Sequence, residues 1–183
     1  MFEELLAALA GELSAKAIPY MVIGGQAVLL YGEPRLTRDI DITLGVADDR
    51  LADILQVAAS LSLKLLIGNA VEFVRRTMVL PVEDEKTGIR VDFIFSLTDY
   101  ERQAIERARK VEIGGGTVDF ASQEDLIIHK IFAGRARDIE DAKSVARKNR
   151  EPDVDYMRKC LTELQFSVVD CDMLALLEEI LSA

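Results

Sequence analysis

The segment from residue 35 to 44, "RLTRDIDITL", places two aspartates one residue apart among β-branched side chains. Successive side chains of a strand point to opposite faces, so Arg35, Thr37, Asp39, Asp41 and Thr43 line one side while Leu36, Ile40, Ile42 and Leu44 line the other. Arg38 is the exception on the apolar side. Aspartate disfavours strands, and two ionised carboxylates on one face repel each other. The pattern therefore demands a strand with one side in a core and an acidic side open to solvent or to a cation. Cα atoms two apart in a strand lie about 6.5–7 Å apart, near enough for their carboxylates to meet on one hard cation or a close cation pair.

An isolated D-x-D reads as an exposed strand face, and its company changes that reading. Upstream, Gly24 and Gly25 follow the strand-like "YMVI" and precede the helix-like "QAVLLYG". At such a turn bare backbone N–H groups can approach a phosphate, and the helix dipole favours the anion. "GGQAVLLYG" lacks the lysine and Ser/Thr ending of a Walker A loop and is not a G-x-G-x-x-G fingerprint. Downstream, Asp92 interrupts the apolar strand "RVDFIF". A carboxylate stranded in an apolar segment needs a partner or becomes protonated. With Asp92 beside the D-x-D strand, three carboxylates would bind Mg²⁺ or Mn²⁺, the oxygen shell completed by water and substrate phosphates. Asp119, in "TVDF" directly after a glycine hairpin, is the rival third ligand.

Periodicity and breakers give the organisation. Residues 2–17 read as a helix, 20–24 as a strand, 26–32 as a short helix, 38–45 as a strand and 47–62 as a helix whose Asp48 and Asp49 suit its positive end. "LKLLIG", "EFVRRTMVLPVE" and "IRVDFIFS" each contain a strand, with a turn over residues 83–88. "TDYERQAIERAR" is helical, "KVEIGGGTVDF" is a hairpin around Gly114–Gly116, and Ser122 with Asp125 opens a helix in near capping-box fashion. Helices near 138–148, 153–165 and 170–182 follow. The expectation is an α+β protein: a mixed sheet domain over residues 1–121 and a helical tail over 122–183 packed on it.

The formal net charge of −10 argues against coating nucleic acid by bulk electrostatics, so any polyanion must be held locally. No apolar run is long enough to span a membrane and the first residues carry acids instead of a basic leader, so a cytoplasmic, membrane-free protein is expected. Cys160 and Cys171 read as buried free thiols, His129 as structural, and Arg75 and Arg76 as cleft-lining or solvated.

Gly24–Gly25, Asp39-x-Asp41 and "VDF" at 91–93 together resemble the nucleotidyltransferase superfamily with the polymerase β-like fold. The longer "GGQA…RLTRDIDI" with "SQEDLIIHKIFAGRARDIED" looks most like the AbiEii-type toxins and their bacterial relatives. The resemblance implies a metal-dependent, ATP- or other NTP-binding enzyme that moves NMP to an acceptor hydroxyl on tRNA, protein or a small molecule. A toxin–antitoxin or phage-defence role with a cognate antitoxin goes with it. Asp39, Asp41 and Asp92 would be catalytic and metal-binding, and Gly24 and Gly25 would contact the triphosphate. Lys130, Arg137, Asp138 and Asp141 match the later helix motif; Arg35, Thr37, Arg38, Lys130, Arg137 and Asp138 complete the nucleotide-binding set. A continuous helix would put 130, 134, 137, 138 and 141 on one face, with Gly134 as the residue that would break it and an Arg137–Asp141 surface pair as the plain alternative. The competing function is a catalytically silent nucleotide- or partner-binding module on the same fold.

Overall fold

The computed structural model describes residues 2–96, 98–149, 151–165 and 172–183. The chain divides into two units: residues 1–26 with 37–120, and residues 27–36 with 121–183. The first unit carries a mixed sheet, seven-stranded among the described residues: β1 (Tyr20–Ile23), β2 (Asp39–Leu44), β3 (Lys64–Leu65), β4 (Val79–Asp84), β5 (Ile89–Phe95), β6 (Arg109–Ile113) and β7 (Gly116–Phe120). Across the sheet the order is β3-β4-β5-β2-β1-β7-β6. The helices are α1 (Phe2–Ala15), α2 (Gly24–Tyr31), α3 (Leu51–Ser60), α4 (Ala70–Thr77), α5 (Asp99–Glu106), α6 (Gln123–Ala133), α7 (Ala136–Lys148), α8 (Val154–Gln165) and α9 (Met173–Ser182). The α+β expectation holds, with helices flanking a mixed sheet.

β2 pairs with β5 in parallel and with β1 antiparallel, and β4 runs antiparallel to β5. Paired residues share a face, so the register sorts the side chains into rows. On the core face lie Ile40, Ile42, Leu44, Leu80, Val82, Val91, Phe93 and Phe95, none more than 2% exposed. Side chains this large and this buried contribute about 1.5–3 kcal/mol each, so this face anchors the sheet.

The opposite face is graded. Val79, Ile94, Thr43 and Met21 form its innermost row. Pro81, Asp92, Asp41 and Ile23 form the next, and Glu83, Arg90 and Asp39 the outermost. Along β2 exposure rises from buried Thr43 through half-buried Asp41 to exposed Asp39. The sheet thus presents its carboxylates where it passes from core to solvent.

Tight turns fall where glycine was expected to make them. Gly114 and Gly115 take positive φ between β6 and β7, and a Cβ on Gly114 would lie 2.1 Å from the Glu3 carbonyl oxygen of α1. Thr98 and Glu101 form a full capping box on α5, and Ser122 caps α6 by accepting from Asp125 N.

Some expectations are corrected. β2 begins at Asp39, so Arg35 and Thr37 do not extend the strand; Arg35 belongs to the second unit and is held there by Asp141. The expectation that "LKLLIG", "EFVRRTMVLPVE" and "IRVDFIFS" each contain a strand holds, with β3 taking two residues of the first and α4 occupying the first half of the second. The Asn69 side chain accepts from Glu72 N, Val74 is buried, and left-handed Met78 ends that helix. Capping and burial outweigh the β-propensity of Val71, Phe73 and Val74. Of the two alternatives at Gly134, the break is the one seen: Gly134 caps α6 with φ 66° and α7 starts at Ala136. Cys160 is buried and in no disulfide among the described residues, while Cys171 lies outside them.

Candidate active site

Asp41 and Asp92 are direct register partners on adjacent parallel strands, and Asp39 stands two residues along β2 on the same face. The Asp92 side chain is 18% exposed, enough to reach a ligand and too little to be simply solvated. Asp119 is set apart: it lies on β7, with β1 between that strand and β2, and takes an ion pair from Lys110 at 3.0 Å. The geometry thus groups Asp92, not Asp119, with the D-x-D.

The glycine turn is built against the same carboxylate. Ile23 is the β1 partner of Asp41, and Gly24 follows it with φ +63°. A Cβ at Gly24 would fall 1.9 Å from Asp41 Oδ2, so a side chain cannot stand there while Asp41 keeps its place. Gly24 is also the first residue of α2, whose opening N–H groups have no intrahelical acceptor. Next in the chain after Gly25, Gln26 is 8% exposed and its Nε2 finds no hydrogen-bond partner among the described residues. A buried donor without an acceptor is rare in a native protein and suits a site that awaits one from a ligand.

The Gly24→Ala variant is expected to lose about 2 kcal/mol from left-handed strain and the clash, lowering the melting temperature by about 4–8 °C. Adding Asp41→Ala should recover the clash component. Thermal melts of the two single variants and the double variant check this, and a loss in the double equal to the sum of the singles would refute the contact.

Arg90 sits two residues before Asp92 on the same face, with Asp39 and Glu83 as its cross-strand partners. Its Nε donates to Asp92 Oδ1 at 2.9 Å. That hydrogen bond, and then the charges of Asp92, Asp39 and Asp41, hold the guanidinium more firmly in its charged form against the opposing effect of burial. Sequence reasoning missed Arg90; its signal was the i, i+2 spacing to Asp92 in "IRVDF".

Three hard oxygen donors on one half-exposed face are the right chemistry for Mg²⁺ or Mn²⁺. Among the described residues no three His, Cys, Asp or Glu side chains are gathered tightly enough to hold an ion, and Asp92 spends one oxygen on Arg90. The donor chemistry suits a divalent cation, while the placement of the three carboxylates seen here does not gather them on one.

The second unit holds a cluster of its own. Arg35 clasps Asp141 through Nε at 2.8 Å and Nη2 at 2.9 Å, the two-pronged geometry a guanidinium makes with a carboxylate. Lys130, its side chain 8% exposed, bonds Asp138 and Asp141 at 2.8 Å each. Arg135 closes the chain on Asp138. Hydrogen bonds from Arg135 and Lys130 hold the Asp138 carboxyl below the usual range, although burial, the largest single effect, pushes it up. Lys130 and Asp138, expected to meet nucleotide, are thus buried in a closed ion network. Arg137 does not pair with Asp141; it reaches the Leu36 carbonyl at 3.4 Å. Thr37 is half-buried and Arg38 exposed, both in the segment leading into β2. His129 is half-buried on α6.

Among the described residues no helix is long and apolar enough to cross a membrane. Residues 2–173 match the family described as "Nucleotidyltransferase of unknown function (DUF6036)". Of solved structures, the chain is similar to the antibiotic-resistance factor ANT(2'')-Ia, with TM-score 0.59 and 15% identity over 90% of this chain and 92% of that one. It is similar to an antigenic nucleotidyltransferase-like protein from Paracoccidioides brasiliensis, with TM-score 0.59 and 19% identity over 99% and 92%. It is also similar to the lincosamide antibiotic adenylyltransferase LnuA in its lincomycin-bound form, with TM-score 0.55 and 18% identity over 81% and 98%. At these identities the likeness shows the fold. None of the curated proteins matches this chain in sequence.

Proposed function

This chain belongs to the family described as "Nucleotidyltransferase of unknown function (DUF6036)", and from that premise we propose that it moves a nucleoside monophosphate from an NTP to an acceptor hydroxyl. The observation that carries the reading is the direct pairing of Asp41 with Asp92, with Asp39 on the same face and Gly24 against Asp41. The acceptor oxygen attacks the α-phosphorus, the bond from that phosphorus to the bridging oxygen breaks, and pyrophosphate leaves. Asp92 takes the hydroxyl proton. Asp39, Asp41 and Asp92 would hold the divalent cations. Mg²⁺ or Mn²⁺, when bound, supplies the positive charge that stabilises the entering and leaving oxygens. The first N–H groups of α2 at Gly24 and Gly25 face the triphosphate, where the positive helix end favours anions. Arg38, exposed just before β2, adds charge for the phosphates.

The acceptor class belongs to the same proposal. ANT(2'')-Ia and LnuA are named for antibiotics, which makes a small hydroxylated molecule one candidate beside tRNA and protein. The net charge of −10 disfavours a long, nonspecific RNA footprint. A toxin role with a cognate antitoxin rests on the likeness of the "GGQA…RDIDI" segment to AbiEii-type proteins alone.

A nucleotide-binding module without turnover is the second reading, favoured by the hold of Arg90 on Asp92. One experiment separates the two. The protein is incubated with each α-labelled NTP, Mg²⁺ and a cell extract, and labelled material is sized. Label in a new acceptor, lost when Mg²⁺ is chelated, is the expected result; nucleotide binding with no labelled product would support the silent module.

A further inference from the structure

Asp39, Asp41 and Asp92 lie on one sheet face, and without a bound cation their charges repel. Arg90 is placed to answer that repulsion. It rises from the same strand and face as Asp92, and its cross-strand partners Asp39 and Glu83 put an acid on either side. Its Nε–Oδ1 bond of 2.9 Å occupies a lone pair of Asp92.

The two partners differ in freedom. The Asp92 side chain is 18% exposed and sits between Val91 and Phe93, both fully buried, so its backbone is fixed. The Arg90 side chain is 49% exposed on a long flexible stem at the outer row, and it can swing into solvent without opening the core. A divalent cation carries twice the charge of a guanidinium and binds carboxylate oxygen directly, so it can displace Arg90 where a monovalent ion would not.

We propose that Arg90 is a resident counter-cation: it holds Asp92 while the site is empty of metal, yields it when a divalent cation enters, and so sets the affinity of the site for that cation. The inference rests on the nucleotidyltransferase reading of the three acids, and it makes Arg90 a positioning residue acting through Asp92. It distinguishes Arg90 from a residue that orients Asp92 for ligation. Loss of an orienting residue weakens metal binding; loss of a competitor strengthens it.

Mn²⁺ binding, followed by the electron paramagnetic resonance of free Mn²⁺ at fixed ionic strength, is the test. Wild type, Arg90→Gln, Arg90→Lys and Asp41→Asn are compared, with no nucleotide present. Arg90→Gln is expected to bind Mn²⁺ about tenfold tighter, the equivalent of one charge-assisted hydrogen bond no longer broken on entry. Arg90→Lys, which keeps the charge but loses the fixed Nε donor, should fall between the two and covers the case of a Gln variant that does not fold. Unchanged or weaker binding in both Arg90 variants would overturn the inference and leave the metal site standing. No Mn²⁺ binding by wild type or by either Arg90 variant would overturn both.

Discussion

Replacing Asp41 by Asn is expected to lower the rate of nucleotidyl transfer by roughly 10³-fold or more and to leave the melting temperature unchanged or slightly higher. Asn keeps the shape that packs against Gly24, so the turn into α2 survives. What it removes is one negative charge opposite Asp92, and with it a strong oxygen ligand. In a metal-free fold that loss relieves repulsion from Asp39 and Asp92 while weakening the attraction to Arg90, which is why the net change in stability should be small. Single-turnover transfer from an α-labelled NTP, read beside a thermal melt, checks both halves. Retained turnover in Asp41→Asn would remove the D-x-D from the chemistry; loss of turnover together with a large fall in melting temperature would mean that the variant reports folding.

The largest stability effect is expected from Lys130→Met. Met matches the length of the side chain but leaves Asp138 and Asp141 buried with one cation fewer. Removing one partner from a buried network costs about 3–5 kcal/mol, which for a protein of this length lowers the melting temperature on the order of 10 °C. Arg35 and Arg135 remain to hold one carboxylate each, which favours the lower end of that range. The effect should be pH-dependent with a definite sign. In the wild type Asp138 titrates below its ordinary value, so its contribution is present above about pH 4 and is lost as the pH falls through its folded value. With Lys130 gone, burial makes protonation easier, and the gap between variant and wild type should narrow as the pH is lowered from 7 toward 4. Melts at the two pH values test this, and a constant gap would mean that the cost of Lys130→Met is lost packing alone.

The parts of the fold set by neighbouring residues were legible in the sequence. The alternation of "DIDITL", the Ser122 cap, the glycine hairpin at 114–115 and the loss of helix at Gly134 each depend on a few adjacent positions. Tertiary facts were not. Whether Asp92 or Asp119 accompanies the D-x-D is decided by which strand lies beside β2, and strand order is invisible to local patterning. The same holds for Arg90, whose meaning comes from Asp39 and Glu83 across two strand pairs. Within "EFVRRTMVLPVE" the strand expected somewhere falls in the second half, because the Asn69 cap and the burial of Val74 make a helix of the β-branched and aromatic first half. The break at Gly134 is local, but its consequence is tertiary: it leaves Lys130 enclosed between Asp138 and Asp141, a network no local pattern announces.

The parallel pairing of β2 with β5 also bears on how the molecule assembles. α3, β3, α4 and β4 intervene between those strands along the chain, so the pair closes a long loop, a slow step compared with the hairpin of β6 and β7. That step must bring Asp92 up against Asp41, like charge to like charge. β5 arrives with Arg90 already beside Asp92, so the strand carries its own neutralising partner into the encounter. The residue that tempers cation entry in the finished protein would then also ease the last docking event on the route to it.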